Sequence, residues 1–417
     1  MIAKMKQKGH ELLRKSEKYT KTDMVYLTKG GGWLMFGQFT SSIFAFILTY
    51  VFANFLTAEI YGNYKYVIAT VGFLATFSLT GINTSVSQSI SNHYYTSYKA
   101  GFKYSIIYSL PFLILCLGGS IYYIVNDNYF LGISLLLVSF MEPIVSSSSL
   151  YQSGLEGLRK FKTLSNFQLI KSFIVSIVLI FFALESKNPL ILIFAYYFTD
   201  LIVSFFFYRR VKAILNEKSG KNIDDEQMIP YAKHLSVSNL ISNTAFHIDK
   251  ILIFQTLGAT QLATYSFALI IPDQIKTYVS KIGTLALPKF SQHLQKNVGT
   301  VVRRKVLVLS FFLSIITILY IVCVPFVFKI FLPQYTDSIL LAQIFGISIL
   351  ASTVIQKTVI DGTKQIKNNY LFKTFSGLVR ILLIAVGLYF GQLIGVIIAR
   401  VLSRFFDFFF SIYLIEH

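Results

Sequence analysis

Acidic residues and cysteine are scarce in this sequence of 417 residues. Only 19 Asp and Glu residues occur against 38 Lys and Arg residues, and charged residues make up 14% of the chain, compared with about 25% in an ordinary soluble protein. The two cysteines, Cys116 and Cys323, both lie in apolar runs, which excludes a disulfide framework and a cysteine-ligated metal cluster. We expect both to be packing residues.

Motifs of catalysis and nucleotide binding are also missing. The sequence contains no H-E-x-x-H, no G-x-S-x-G and no G-x-x-x-x-G-K-[ST] pattern, so metalloprotease, serine hydrolase and P-loop chemistry are not indicated. The acidic run Asp224-Asp225-Glu226 lies in a polar linker, where we expect it to be solvated. The expectation is a protein that is not an enzyme and has no cofactor and no metal site.

What the sequence has in abundance is apolar residues. Hydrophobic residues make up 54% of the chain, and the mean hydropathy is +0.61, values typical of a polytopic membrane protein. The net charge of +19 would suggest nucleic-acid binding in a soluble chain. Here the basic residues lie mostly in short connectors between apolar runs, where they would meet an anionic leaflet. We therefore expect a phospholipid bilayer, and no nucleic acid, as a partner.

About 20 apolar residues are needed to cross the hydrocarbon core, and this window predicts twelve spans. Connectors alternate between short polar turns and longer basic segments. The predicted spans cover residues 33–55, 64–86, 104–125, 129–150, 166–185, 189–208, 234–257, 262–288, 306–331, 336–356, 370–390 and 392–414.

The alternation of connectors predicts the orientation. With the N-terminus in the cytoplasm, 28 basic residues fall in inner segments and only Lys65, Lys187 and Lys329 in outer ones. This is the distribution expected from the positive-inside rule. We therefore predict that both termini are cytoplasmic.

The most polar internal segment divides the chain into two sets of six predicted spans. We predict a basic cytoplasmic tail (1–29), an N-terminal six-helix lobe (30–208), a cytoplasmic interlobe linker (209–233) and a C-terminal six-helix lobe (234–417). Because each half has an even number of spans, both halves enter the membrane in the same direction, as parallel repeats do.

Two short matches support the repeat. Leu56 to Tyr64 and Leu257 to Tyr265 share the pattern L-x-A-x-x-x-small-x-Y at a shift of 201 residues. Gly157 to Lys162 resembles Gly362 to Lys367 at a shift of 205 residues. Both pairs lie in topologically equivalent connectors, so the hairpin 234–288 is interpreted as the second copy of the opening hairpin.

That second hairpin carries charge inside apolar sequence. His247, Asp249 and Lys250 lie on its first arm, and Asp273 and Lys276 lie on its second. Ionisable residues in a span are retained mainly where they face a wet cavity or each other. One interpretation is a substrate pathway in which Asp249 and Asp273 neutralise the two lysines when no ligand is bound. The other is a static ion pair that fixes helix packing.

A second charged cluster lies in the last two spans. Arg400, Arg404 and Asp407 follow i, i+4, i+7 spacing and share a helix face, and Arg380 precedes them. Arginine suits bidentate recognition of phosphate, but Arg404 and Asp407 are equally interpreted as a salt bridge. In the first half, the charges Glu142, Lys171 and Asp200 are expected to be internal structure.

Several local patterns resemble a known family. They are Tyr61-Gly62-x-Tyr64 after the first span, Gly154-Leu155-Glu156-Gly157 with Arg159 after the fourth, Asp249 in the seventh, and Leu332-Pro333-Gln334-Tyr335 after the ninth. The chain from about residue 28 resembles the polysaccharide flippases of the O-antigen type, in the multidrug/oligosaccharidyl-lipid/polysaccharide exporter superfamily. The second hairpin departs from the first by having Ala263 where Gly62 stands.

The resemblance implies an all-α, V-shaped transporter of two six-helix lobes that opens alternately to each side of a bacterial cytoplasmic (inner) membrane. Its substrate would be an undecaprenyl-pyrophosphate-linked oligosaccharide, and other membrane proteins of polysaccharide assembly would be further partners. We predict phosphate or sugar contacts at Lys250, Lys276, Arg380 and Arg400. His247, Asp249 and Asp273 would balance charge or couple transport to H⁺ or Na⁺.

Two alternatives remain open. A cation-coupled antiporter of small molecules or drugs, from the same superfamily, would use Asp249 and Asp273 to hold its cation. A membrane-embedded glycan polymerase or transferase would have a similar composition, but the short outer connectors argue against it.

Overall fold

Helices make up almost all of the described chain. The structure, a computed structural model, describes residues 24–217, 225–293, 298–356, 359 and 366–416, and no strand occurs within these ranges. The helices of the first half are α1 (Met24–Phe55), α2 (Ala58–Ala75), α3 (Ile82–Ser91), α4 (Ser97–Ile107), α5 (Leu110–Val125), α6 (Tyr129–Ser148), α7 (Leu150–Gly157), α8 (Phe161–Glu185) and α9 (Pro189–Asn216). Those of the second half are α10 (Met228–Leu257), α11 (Ala259–His293), α12 (Val298–Phe331), α13 (Ser338–Gly346) and α14 (Ile366–Glu416).

Each predicted span overlaps at least one helix of the described chain, and the fold is that of a multi-pass membrane protein. Seven helical stretches of the described chain are long and apolar enough to cross a membrane, and one of them, Asn368–Ile415, contains two predicted spans. Large apolar side chains on their outer faces are solvent-exposed in the isolated chain. Examples are Ile121 at 63%, Phe312 at 58% and Leu382 at 65%, as expected for surfaces that face lipid.

Several predicted boundaries differ from the helices. The second span is broken between Ala75 and Ile82, and the tenth loses helix at Ala351–Thr353 after a short 3-10 turn. The predicted tail 1–29 overlaps α1 from Met24, and the predicted linker 209–233 overlaps α9 and α10. Residues 1–23 and 218–224 lie outside the described residues. The domain limits therefore stay a prediction.

Helix α14 is folded back on itself to give the last two spans. Gln392 has φ 45° and ψ −130° between the two arms, and the turn brings Gly387 against Gly395. A Cβ on Gly387 would lie 2.4 Å from the Gly395 carbonyl oxygen. Only glycine permits this close approach of the two backbones. The arms therefore pack tightly enough for charges on one arm to meet charges on the other.

The two halves meet along a seam between α2–α3 and α10. Tyr66 stacks on Phe254 at 3.8 Å between ring centroids, and the Gly81 N–H donates to Ser236 Oγ at 2.9 Å. Further along, Ser89 Oγ donates to Asp225 at 2.5 Å. Since α2–α3 runs antiparallel to α10, these contacts follow the seam from one end of the helices to the other.

The two hairpin tips of the repeat touch at one end of the seam, which we call the outer end because the basic residues predict that it faces away from the cytoplasm. Gly62 lies against the first residue of α11, and a Cβ there would be 1.9 Å from the Ala259 carbonyl oxygen. Beside it, Tyr61 stacks on Phe267 at 4.4 Å, and Phe267 contacts Tyr335 at 4.0 Å. The outer ends of the two halves are therefore in contact with each other in this structure.

Replacing Gly62 by valine should push the two tips apart, because backbone atoms of α11 occupy the space that a side chain would need. We expect a longer distance between spin labels on the exposed Thr57 and Thr260, in a cysteine-free background, measured by pulsed electron paramagnetic resonance. The matched control is Gly118→Val in α5, where nothing lies within 4 Å of the added Cβ. An unchanged distance in the Gly62→Val variant would contradict the close contact.

Candidate substrate-binding cavity

A cavity of about 360 Å³ lies inside the second half of the molecule. It is bounded by α10, α11, the broken helix at residues 348–354 and both arms of α14. Non-helical backbone at membrane depth is tolerated where it borders a wet cavity or is buried in protein. The break in the helix after α13 is tolerated because it borders this cavity.

Basic side chains dominate the charge around this space, which we call the cationic cavity. Lys276 of α11, Lys373 and Arg380 of the first arm of α14, and Arg404 of the second arm line it, with Asp407 as the carboxylate among the described lining residues. Lys373 donates to Asn239 Oδ1 at 3.0 Å. An excess of positive charge in a membrane-embedded space favours an anionic ligand.

Unpartnered polar atoms lie along the same cavity. Ser352 Oγ, Ser376 Oγ and Asp407 Oδ1 are buried and make no hydrogen bond with the part of the chain that the structure describes. Buried polar groups nearly always have a partner. These atoms therefore leave hydrogen-bonding capacity for water or for the hydroxyl groups of a ligand such as a sugar.

Three arginine–aspartate pairs brace the helices around the cavity. Arg400 pairs with Asp249 of α10, Arg404 with Asp273 of α11 at 2.6 Å, and Arg380 with Asp407 across the two arms of α14 at 2.7 Å. These pairs add to one sequence expectation and correct another. The ion-pair partners of Asp249 and Asp273 are arginines of α14, with Lys250 and Lys276 adding electrostatic attraction to the same carboxylates. The ion-pair partner of Asp407 is Arg380 rather than Arg404.

The Arg400–Asp249 pair is closed off from the cavity and from solvent. Arg400 is 4% exposed and Asp249 is fully buried, and the Tyr265 hydroxyl donates to the same carboxylate. Phe345 lies beneath both Arg400 and Arg404, with its ring centroid 5.6 and 4.4 Å from the two guanidinium carbons. Arg400 therefore has its charge satisfied inside the protein. Its predicted contact with substrate remains a prediction.

A second basic group lies in the seam, nearer the outer end. Lys65 of α2 and Lys250 of α10 are half-buried and their charges repel each other. No carboxylate of the described residues lies within 4.0 Å of either ammonium. Each ammonium lies over an aromatic ring, Lys65 over Tyr61 at 5.2 Å and Lys250 over Phe246 at 5.5 Å from the ring centroid. We call these residues the outer lysine pair.

Sequence reasoning missed Lys65, which it assigned to an outer connector. Helix α2 begins at Ala58, which places Lys65 about 10 Å inside the helix at 1.5 Å per residue. Lys250 is equally far from the end of α10 at Leu257, whereas Lys276 is about 26 Å from the start of α11 at Ala259. The signal that could have found Lys65 is the N-cap at Thr57, whose side chain accepts from the Ile60 N–H.

Neutral hydrogen-bonding groups lie on the same seam helices as the outer lysine pair. The Tyr66 and Tyr123 hydroxyls are 2.6 Å apart, and Gln255 Nε2 donates to them at 2.6 and 3.0 Å. His247 packs against Gly72 across the seam, and its Nδ1 makes no hydrogen bond with the described residues. The seam thus combines two cations with amide and hydroxyl groups, the partners that phosphate and sugar groups use.

Comparison with known proteins decides the family. The sequence profile of a family described as polysaccharide biosynthesis proteins matches residues 27–294, more than half of the 417-residue chain. The chain belongs to this family. No curated protein sequence matches the chain.

Solved transporter structures share the fold of this family member. The lipid II flippase MurJ, in an inward closed conformation, is 14% identical with a TM-score of 0.67, covering 92% of this chain and 87% of its own. The Vibrio cholerae MATE transporter VcmN is 10% identical with a TM-score of 0.59 and covers 94% and 96%. A transporter of the MOP superfamily from Pyrococcus furiosus is 11% identical with a TM-score of 0.61 and covers 93% and 94%. At these identities the likeness establishes the fold alone.

Proposed function

We propose that this family member is a flippase for lipid-linked glycan. It moves an undecaprenyl-pyrophosphate-linked oligosaccharide from the inner to the outer leaflet of a bacterial cytoplasmic membrane, for surface polysaccharide biosynthesis. It acts by alternating access between two lobes, with both termini in the cytoplasm and without making or breaking a covalent bond. Other membrane proteins of polysaccharide assembly would supply and receive the substrate.

The observation that carries the proposal is the cationic cavity. A pyrophosphate is a dianion or more at neutral pH, and placing it within the bilayer requires compensating positive charge. Lys276, Lys373 and Arg380 line a space that also offers unpartnered serine hydroxyls. This combination fits the two polar parts of the substrate, the phosphates and the sugars, and it occurs in a polysaccharide biosynthesis family.

The depths of the basic groups fit a path across the membrane. The cationic cavity contains Lys276 about 26 Å from the outer end of its helix, while the outer lysine pair lies about 10 Å from the outer end. A pyrophosphate entering from the inner leaflet would meet the cavity first and Lys65 with Lys250 later. Gly62 and Tyr61 hold the two halves together at the outer end of the seam. These contacts would have to separate before the substrate could leave to the outer leaflet.

The drug-antiporter alternative receives less support. It would use Asp249 and Asp273 to hold a cation, yet both carboxylates already accept from arginines. A guanidinium at hydrogen-bond distance competes directly with a bound cation. A polymerase or transferase has no catalytic motif to support it in the sequence.

Depletion of the protein in cells tests the proposal. We expect undecaprenyl-linked oligosaccharide to accumulate and to stay on the cytoplasmic side, inaccessible to a glycosidase added from outside. The readout is the amount of lipid-linked intermediate by mass spectrometry, with a plasmid copy of the gene as the rescue control. Unchanged lipid-linked intermediates, together with increased drug sensitivity, would instead favour the antiporter.

A further inference from the structure

One face of α10 leads from the cationic cavity to the outer lysine pair. Asn239, Asn243, Phe246 and Lys250 follow each other along α10 at intervals of three or four residues. This spacing places them on the same face of the helix. Asn239 accepts from Lys373 at 3.0 Å, and Asn243 borders the cavity. Phe246 is therefore the apolar member of an otherwise polar stripe, at the point where the stripe passes from one basic group to the other.

The Phe246 ring lies between these two basic groups. Of the described residues on the stripe, Phe246 borders the cationic cavity and Lys250 does not. Lys250 is one turn further out along α10, and its ammonium lies 5.5 Å from the centroid of the Phe246 ring. An anion that moves from the cavity to Lys250 has to pass this ring.

The seam beside Phe246 is filled at the same depth. His247, the next residue, packs into a notch at Gly72 of α2, where an added Cβ would lie 2.4 Å from His247 Cε1. The rings of Phe246 and His247 meet edge to face at 5.1 Å between centroids. His247 is thus held by the opposite half, whereas Phe246 is 45% exposed in the isolated chain. Phe246 is the side chain at this depth that has room to turn.

The chemistry of the ring makes this position unfavourable for a phosphate. A phenyl ring offers no charge and no hydrogen-bond donor that could replace the water around an anion. Its face attracts the Lys250 ammonium instead. The positive charges therefore form two groups with an apolar step between them, and they do not form one continuous binding surface.

We propose that Phe246 divides the transport path into an inner and an outer phosphate-binding position, and that turning of its ring passes the ligand from one to the other. The identity of the ligand rests on the proposed function. The division is a property of the protein itself, so a small anion can be used in place of the glycan to test it. Without the ring, the cationic cavity and the outer lysine pair would form one continuous space.

The test measures how fast a small anion reaches position 65 from the cytoplasmic side. Lys65→Cys in a cysteine-free background leaves the contact of Lys250 with Phe246 intact, and inside-out membrane vesicles are treated with an anionic methanethiosulfonate reagent. The labelling rate is compared between the protein with Phe246 and the variant Phe246→Ala. Phe246→Ser is the second variant in case Phe246→Ala fails to fold. The matched control is Phe198→Ala in α9, because Phe198 is also 45% exposed and does not border the cationic cavity.

We expect labelling to be about tenfold faster in Phe246→Ala and Phe246→Ser, and unchanged in Phe198→Ala. A cationic reagent of similar size should gain less, because the route runs past Lys276 and Arg380. The proposal is overturned if the folded variants are labelled no faster than the protein with Phe246, or if both reagents gain equally. The assay contains no glycan, so its failure would leave the proposed flippase activity to be decided by the depletion experiment.

Discussion

Replacing Arg400 by alanine should cause one of the largest losses of stability available from a single substitution in this protein. It would leave Asp249, which is fully buried, as an uncompensated charge in the membrane interior. Removing one partner of a buried ion pair costs about 3–5 kcal/mol. We expect a markedly lower midpoint of thermal unfolding in detergent, measured by fluorescence-detected gel filtration after heating.

A double variant separates the charge effect from simple loss of packing. Asp249→Asn with Arg400→Gln removes both charges and keeps hydrogen-bonding groups of similar size, so it should recover most of the lost stability. Arg209→Ala, an exposed arginine near the end of α9, should leave the midpoint unchanged. If Arg400→Ala were as stable as Arg209→Ala, the ion pair would not brace these helices.

The second large effect is expected on transport rather than on folding. Lys276→Gln combined with Lys373→Gln removes two positive charges from the cationic cavity. A hydrogen bond to a charged group is worth about 1.5–3 kcal/mol, so losing the two proposed phosphate contacts should lower transport at least tenfold. Glycan export per amount of folded protein is the measurement.

Two further variants show whether the loss of positive charge is the cause of the lower export. Lys276→Arg keeps the positive charge and should retain most of the export. Lys187→Gln removes an exposed lysine from the outer turn after α8 and should have no effect. Normal export by the double glutamine variant would show that the charge of the cationic cavity is not needed for transport.

The apolar spans and the charged hairpin could be predicted from the sequence because each depends on local composition. Twenty apolar residues fit one bilayer crossing wherever they occur, and a charge among them is visible at once. The hairpin repeat was also visible. Its tips, Leu56 to Tyr64 and Leu257 to Tyr265, both lie at helix starts at the same end of the seam.

The partners of the charges could not be predicted because they are far apart in the chain. Arg400 and Asp249 are separated by 151 residues, and Arg404 and Asp273 by 131. Sequence spacing identifies side chains that are neighbours on one helix, three or four residues apart. It therefore suggested a salt bridge between Arg404 and Asp407. The turn at Gln392 folds the two arms of α14 together, so Asp407 pairs with Arg380 instead.

Family motifs were informative about packing more than about chemistry. Tyr61 stacks on Phe267, Gly62 permits contact with Ala259, and Tyr64 is buried. These residues hold the outer ends of the two halves together. Lys65, the residue after Tyr64, is the charged residue of this region, and the sequence analysis placed it in an outer connector.

The most direct test of the account is transbilayer movement in proteoliposomes that contain only the purified protein. Two substrates with the same oligosaccharide are compared, one linked to undecaprenyl through pyrophosphate and one linked to an uncharged lipid. The account predicts that the wild type moves the pyrophosphate-linked substrate, that the uncharged one moves far more slowly, and that Lys276→Gln with Lys373→Gln abolishes the difference. Equal movement of both substrates by the wild type, or no movement of either, would contradict it.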